Sequence, residues 1–231
     1  MAHLSVRDKE SVQVLTQETP LDIHLRPDSA CLMYKLFPFE KLQSMVSQET
    51  KEIIAQCDSG YLCFQVSDDH ARDDIALICE QLTIISKKTG LAILLLPIGR
   101  AAGHEDQKTL MKIKSHLQVP CFLPSENSVF DIMALISQAQ VFAGTSLHGS
   151  ITAMSFAIPY IGMTNRVPKL EAYLQTWAVP ELSSCKPYKM LEIAVDHALT
   201  VPKETLKAFS YKYIQESQKD FDQIRKIIEL E

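Results

Sequence analysis

The sequence has no hydrophobic run long enough to cross a membrane and no excess of positive charge. Its longest strongly apolar segment, residues 91–98, is far shorter than the roughly 20 residues that a membrane-spanning helix requires. The net charge of -5 argues against the basic surface of proteins that bind nucleic acid backbones. Residues 1–8 lack the basic and apolar regions of a secretory signal. We therefore predict a cytoplasmic protein with no transmembrane segment and no nucleic acid partner.

The six cysteines form no Cys-x-x-Cys pair, which is the spacing found in many structural zinc sites. Most of them lie in apolar stretches, such as the one around Cys63, and this setting is typical of reduced, buried thiols. We predict neither disulfides nor a metal site. Flexible linkers rich in glycine, serine or proline are also lacking, so the 231 residues, 46% of them hydrophobic, predict one globular domain.

From residue 60 onward, short runs of aliphatic and β-branched residues alternate with longer amphipathic segments. The predicted strands are 61–66, 91–97, 119–123, 140–143 and 159–162, and the predicted helices are 70–88, 105–117, 128–138 and 147–157. Such alternation is typical of a parallel sheet covered by helices on both faces. The sequence therefore predicts an α/β fold with a Rossmann-like, mainly parallel sheet.

The two ends of the chain carry further elements. Residues 4–8 resemble the end of a strand that runs into a helix capped by Asp8. Because almost nothing precedes this strand to form the elements that it would join, we expect that half of the architecture is missing. At the other end, residues 202–231 predict a helix that begins at Pro202 and packs back on the domain through an apolar stripe.

Residues 140–150 form the segment with the clearest chemical meaning. A buried strand leads into a loop of small residues, and the loop becomes the start of an apolar helix. The unpaired amides and the positive dipole end of such a helix start can hold a phosphate or a carboxylate. Open α/β sheets bind their ligands at the carboxyl ends of strands, where this loop lies. We therefore predict an anion site here.

The side chains of this loop suit that role. Gly144 and Gly149 permit close backbone approach, and Thr145 and Ser146 offer hydroxyl groups. His148 can donate a hydrogen bond or a proton near neutral pH. The same residues are equally compatible with ordinary strand-to-helix capping, with the histidine bonded to a neighbouring carbonyl.

The segment resembles a motif of the polysaccharide pyruvyl transferase family, in which a turn of small residues that ends in Leu-His-Gly precedes a helix and a proline-containing strand. In this chain the turn is 144–149 and the strand segment is 157–162. The other matching features are Val6-Arg7-Asp8 with Ser11, Pro27-Asp28-Ser29-Ala30, Asp106, Lys169-Leu170 and Tyr173-Leu174. These features occur in order, so the resemblance extends over most of the chain.

The resemblance implies a GT-B-like fold of two facing Rossmann-like domains, with the acceptor sugar on the amino-terminal domain and the donor on the carboxy-terminal one. The chain is similar to the second of these. Residues 1–231 are therefore expected to form a single donor-binding domain without the amino-terminal acceptor domain, and to be inactive alone.

The resemblance also implies the roles of particular residues. Arg7, Leu147 and His148 match positions that bind phosphoenolpyruvate in the family. The remaining residues expected at the donor site are Gly144, Thr145, Ser146 and Gly149. His148 is the catalytic candidate, as a general acid or as a group that stabilises the departing phosphate. Phosphoenolpyruvate is the expected donor substrate, and no cofactor or metal is expected.

Four residues keep a second interpretation. Arg7 also fits a surface arginine paired with a nearby carboxylate, and Asp28 fits a turn and cap, which we prefer for it. Asp106 is equally suited to cap a helix and to contact a ligand. Lys169 can reach a phosphate or a sugar, although a solvated lysine is the commoner outcome. Asp106 and Lys169 are weak binding candidates.

The function predicted from this resemblance is pyruvyl transfer from phosphoenolpyruvate to a hydroxyl pair of a glycan or lipid-linked sugar, in exopolysaccharide or cell-surface polysaccharide biosynthesis. One alternative is a nucleotide-sugar glycosyltransferase of the same fold. A second alternative is a non-catalytic anion-binding or scaffold domain.

Overall fold

The computed structural model describes residues 3–99, 106–163 and 166–229. The strands are β1 Leu4–Val6, β2 Ile23–Leu25, β3 Tyr61–Gln65, β4 Ala92–Leu95, β5 Cys121–Phe122, β6 Val141–Gly144 and β7 Tyr160–Gly162. The helices are α1 Lys9–Glu18, α2 Met33–Leu36, α3 Phe39–Leu42, α4 Gln48–Gln56, α5 Asp68–Ala71, α6 Ile75–Thr89, α7 Asp106–His116, α8 Val129–Ser137, α9 Leu147–Ser155, α10 Pro168–Trp177, α11 Leu191–Thr200 and α12 Lys203–Glu229. Short 3-10 turns lie at Ser29–Leu32, Pro180–Leu182 and Tyr188–Met190.

The main sheet has five parallel strands in the order β5-β4-β3-β6-β7. Every residue of β3, β4, β6 and β7 is buried, as is usual where helices cover both faces of a parallel sheet. The predicted α/β fold with a mainly parallel sheet is confirmed. The strand order reverses direction between β3 and β6, and ligands of open α/β sheets bind at such a reversal, outside the carboxyl ends of the strands.

The helix predicted at 70–88 consists of α5 and α6, which are separated by residues 72–74. Gly90 follows α6 with a φ of 76° and donates its amide to the carbonyl of Ser86. This left-handed conformation favours glycine, so the predicted helix stop is confirmed.

The first strand has a partner that the sequence did not reveal. β1 pairs in parallel with β2, in the register Leu4↔Ile23 to Val6↔Leu25, and α1 connects the two strands. Asp8 caps α1 by accepting a hydrogen bond from the amide of Ser11, as predicted. The expectation that the elements joining this strand are missing is wrong, because residues 23–25 supply its neighbour. The chain thus carries a second, two-stranded sheet.

Helix α12 contacts both the main hydrophobic core and the two-stranded sheet. Leu206 and Tyr213 are buried in the main hydrophobic core. Farther along the helix, the Asp220 carboxylate accepts from the Ser5 hydroxyl and lies 2.8 Å from Nε2 of His3. Arg26, just after β2, lies 3.5 Å from the same carboxylate. Among the described residues, no helix is both long and apolar enough to span a bilayer.

Candidate functional site

The carboxyl ends of the two sheets meet at one cleft. Arg7 follows β1 and Asp28 lies just beyond β2, whereas Gln65 ends β3 and the turn 145–148 follows β6. Arg7, Gln65 and the turn line a cavity of about 320 Å³. The cleft therefore lies at the reversal of strand order in the main sheet, where the predicted anion site was placed.

Arg7 and His148 meet at the carboxylate of Asp28. The guanidinium of Arg7 donates to Oδ2 of Asp28 at 2.9 Å, and Nε2 of His148 lies 3.7 Å from the same oxygen. The Asp28 side chain is only 16% exposed, whereas that of His148 is 60% exposed. Two candidate donor-binding side chains, one after β1 and one at the start of α9, thus converge on one partly buried carboxylate.

This environment lowers the pKa of Asp28 far below its ordinary value. The His148 side chain contributes most, burial opposes it, and the amide of Ala30 and the guanidinium of Arg7 lower the pKa further. Asp28 therefore remains ionised at neutral pH, and its negative charge complements the Arg7 guanidinium.

Helix α10 fixes the backbone on which Arg7 and Asp28 lie. The indole of Trp177 donates to the carbonyl of Arg7 at 2.8 Å, and the amide of Asp28 donates to the Tyr173 hydroxyl at 3.2 Å. The Tyr173 hydroxyl also bonds that of Tyr213 on α12. Because Tyr173 and Tyr213 are buried, these contacts hold the segments that carry Arg7 and Asp28 firmly against α10 and α12.

The turn after β6 leaves two amides for a ligand. The amides of Thr145 and Ser146 donate to Oε1 of Gln65 at 3.0 and 2.8 Å. The Ser146 hydroxyl caps the amide of Gly149. Among the described residues, the amides of Leu147 and His148 have no hydrogen-bond acceptor. They are the first two amides of α9, so the partial positive charge of the helix start lies there.

Close packing explains why glycine occupies positions 144 and 149 in the turn. A Cβ added at Gly144 would lie 2.9 Å from the Phe142 ring and 3.0 Å from Oε1 of Gln65, and one at Gly149 would lie 2.6 Å from the Phe142 ring. Their predicted part in donor binding is therefore indirect in this geometry. They allow the turn to approach β3 and β6 closely.

The two weak candidates have different surroundings. Asp106 begins α7, is 1% exposed, and accepts from Gln65, Ile98 and Gly99. Lys169, near the start of α10, lines the cleft together with Arg7. Asp106 also lines the cavity, but its contacts are with the surrounding backbone and Gln65, whereas Lys169 is placed to contact an anion.

The sequence interpretation missed two polar residues of this site. Asp28 caps the amide of Ala30, as predicted from its turn sequence, but it also joins Arg7 to His148. Gln65 is a single glutamine at the end of an apolar strand. Its position at the carboxyl end of a central strand was the available signal.

We predict that Asp28→Asn destabilises the full-length protein at neutral pH and that this effect shrinks in acid. When folding lowers the pKa of a carboxyl group, the ionised group stabilises the folded state at every pH above the group's ordinary pKa, which is 3.8 for Asp28. That stabilisation is lost as the pH falls through the folded value. Urea unfolding of both proteins between about pH 7 and pH 2 measures the difference. Asp222→Asn, at an exposed position on α12, is the control. An equal loss for Asp28→Asn at every pH would contradict the prediction.

No group of three potential metal-ligating side chains is found within residues 3–99, 106–163 and 166–229. His104 and Glu105, which precede Asp106, lie outside the described residues.

Solved structures with a similar fold include UDP-GlcNAc 2-epimerases. The UDP-GlcNAc 2-epimerase of Methanocaldococcus jannaschii, in complex with UDP-GlcNAc and UDP, superposes with a TM-score of 0.62 at 12% identity, over 87% of this chain and 55% of that chain. A putative UDP-N-acetylglucosamine 2-epimerase from Listeria monocytogenes gives 0.63 at 13% identity, over 97% of this chain and 59% of that chain. This likeness confirms the predicted GT-B-like fold. The chain spans somewhat more than half the length of these structures.

The search of curated proteins found no significant match. The family model for polysaccharide pyruvyl transferase, however, matches residues 2–166. That range contains Arg7, Asp28, Gln65 and the turn with His148, so it includes both walls of the cleft. The chain belongs to the polysaccharide pyruvyl transferase family.

Proposed function

We propose that the cleft between the two sheets binds phosphoenolpyruvate and that the full-length protein transfers its pyruvyl group to a hydroxyl pair of a sugar. The observation that carries the proposal is the convergence of Arg7 and His148 on Asp28, beside the unpaired amides of Leu147 and His148. Membership of the family supports the transfer of pyruvyl groups in polysaccharide biosynthesis.

The groups of the cleft match the shape and charge of this donor. Phosphoenolpyruvate carries a phosphate and a carboxylate on a three-carbon frame. The guanidinium of Arg7 suits one of these groups through its fork of donors. The start of α9 suits the other through the amides of Leu147 and His148. Lys169 lines the same cavity as Arg7 and adds a positive charge there.

Formation of the pyruvyl ketal needs a proton and two hydroxyl groups. The methylene carbon of phosphoenolpyruvate gains a proton and becomes a methyl group, and a sugar hydroxyl adds to the central carbon. A second hydroxyl of the same sugar then displaces inorganic phosphate, and both hydroxyl protons balance the products. His148 is exposed to the cleft and supplies the proton or stabilises the leaving phosphate.

The acceptor in this proposal is a glycan or a lipid-linked sugar of a surface polysaccharide, and the reaction takes place in the cytoplasm. We also propose that residues outside this chain contribute to acceptor binding, so that the chain alone binds donor weakly and transfers nothing. Support comes from the length comparison, since the chain matches 55% and 59% of the two epimerase structures. Positioning of the attacking hydroxyl requires groups that bind the acceptor sugar as well as groups that bind the donor.

Comparison of two donors tests the proposal. The full-length protein is incubated with p-nitrophenyl hexopyranosides and either phosphoenolpyruvate or UDP-GlcNAc, and we follow phosphate release, UDP release and the sugar products by mass spectrometry. We expect phosphate release that depends on both phosphoenolpyruvate and sugar, with a product heavier by one pyruvyl ketal. Release of UDP, with no reaction of phosphoenolpyruvate, would instead support a nucleotide-sugar transferase, the function that the epimerase-like fold also permits. Absence of both reactions, with phosphoenolpyruvate binding retained, would favour an anion-binding domain.

A further inference from the structure

The side chain of Gln65 connects three segments that surround the proposed donor site. Gln65 is 3% exposed. Its Oε1 accepts from the amides of Thr145 and Ser146, and its Nε2 donates to Oδ2 of Asp106 at 2.8 Å. These partners fix the orientation of the side-chain amide, because backbone amides only donate and a carboxylate only accepts.

Asp106 extends the connection to the neighbouring strand. The same Oδ2 accepts from the amides of Ile98 and Gly99, at 2.9 and 2.8 Å, in the segment that follows β4. Asp106 and Gln65 therefore join the carboxyl ends of β3, β4 and β6. A buried, well-partnered network of this kind rigidifies the backbone segments that it connects.

The network also determines which amides remain for a ligand. Gln65 engages Thr145 and Ser146, and the next two amides, those of Leu147 and His148, have no acceptor in the part of the chain that the structure describes. Gly144 lets this happen, since a Cβ there would lie 3.0 Å from Oε1 of Gln65. A shift of the turn would therefore move both free amides and the His148 side chain together.

We infer that Gln65 and Asp106 are positioning residues for the donor, which hold the start of α9 and its two free amides in the geometry that binds an anion. This inference rests on the proposed function for the identity of the anion. It assigns Asp106 to a role through Gln65 rather than to ligand contact.

The variant Gln65→Glu tests the inference. Glutamate has the same length and can still accept from Thr145 and Ser146, but its second oxygen faces the carboxylate of Asp106 where an amide had donated. In the full-length protein we expect the dissociation constant for phosphoenolpyruvate, measured by calorimetry, to rise about 10-fold or more. The reason is that the buried carboxylate of Asp106 loses the hydrogen bond that Gln65 had donated. The KM for phosphoenolpyruvate should rise in parallel, with kcat at saturation changed much less.

Two further variants separate positioning from general damage. Gln175→Glu creates the same pair of carboxylates at an exposed site, because Gln175 donates to Glu171 on α10, and it should leave donor binding unchanged. Gln65→Met keeps the approximate size and removes both hydrogen-bonding groups, and it should also weaken donor binding. If either Gln65 variant misfolds, as judged by its melting temperature, the other provides the test.

Inorganic phosphate serves as a second probe. If the wild type binds phosphate but not phosphoenolpyruvate, and Gln65→Glu weakens phosphate binding, the inference holds and the proposed function fails. If folded Gln65→Glu and Gln65→Met bind both probes as the wild type does, the inference is overturned. A fall in kcat alone, with unchanged KM and dissociation constant, would also overturn it.

Discussion

Replacement of His148 by alanine should remove pyruvyl transfer from the full-length protein while leaving its fold intact. The side chain is 60% exposed and occupies the second position of α9, where alanine is readily accommodated. Loss of a general acid typically lowers the rate about 100-fold to 10,000-fold. Turnover and melting temperature, measured on the same preparations, test this expectation.

His197→Ala is the matched control, because His197 is an exposed histidine of another helix, α11, and should leave turnover unchanged. Near-normal transfer by His148→Ala would exclude general-acid catalysis by His148. The proton donor would then have to be sought among other groups of the cleft, such as Lys169.

Replacement of Arg7 by lysine should weaken donor binding with only a small change in stability, because lysine keeps the positive charge near Asp28. Lysine keeps the charge but lacks the planar fork that binds a carboxylate or a phosphate through two parallel hydrogen bonds. It also cannot reproduce the geometry by which Arg7 reaches Asp28 at 2.9 Å. Loss of one charge-assisted hydrogen bond corresponds to a rise in KM for phosphoenolpyruvate of about 10-fold or more.

Arg72→Lys provides the comparison for this variant. Arg72 forms an exposed pair with Asp68 on the same chain, and such pairs contribute little, so its KM should stay at the wild-type value. An equal change in both variants would mean that Arg7 has no specific part in donor binding.

The strands of the main sheet could be predicted because their burial on both faces leaves a mark in the sequence. Residues 61–66 and 91–97 are almost continuously apolar, and the structure places β3 at Tyr61–Gln65 and β4 at Ala92–Leu95. The turn that begins α9 could be predicted because a run of small residues between an apolar strand and an apolar helix is typical of a strand-to-helix turn. β2 has only three residues, Ile23–Leu25, and their polar centre, His24, gives no comparable pattern.

The partners within the site could not be predicted in the same way. Asp28 contacts His148 across 120 positions of sequence, and Gln65 contacts Thr145 across 80. Such contacts depend on the strand order, in which β3 and β6 are neighbours although β4 and β5 lie between them in sequence. Local propensity gives no information on that order. The roles of Asp28 and Gln65 therefore emerge only from the arrangement of the two sheets.

The most direct test of the central claim is the site at which phosphoenolpyruvate binds. Amide and arginine side-chain resonances of the isotopically labelled full-length protein would be followed by NMR during titration with phosphoenolpyruvate. We predict the largest changes at the amides of Leu147 and His148 and at the guanidinium of Arg7, with saturation at one common dissociation constant. Changes confined to another cavity, such as the one lined by Lys108 and Lys112 on α7, would contradict the account.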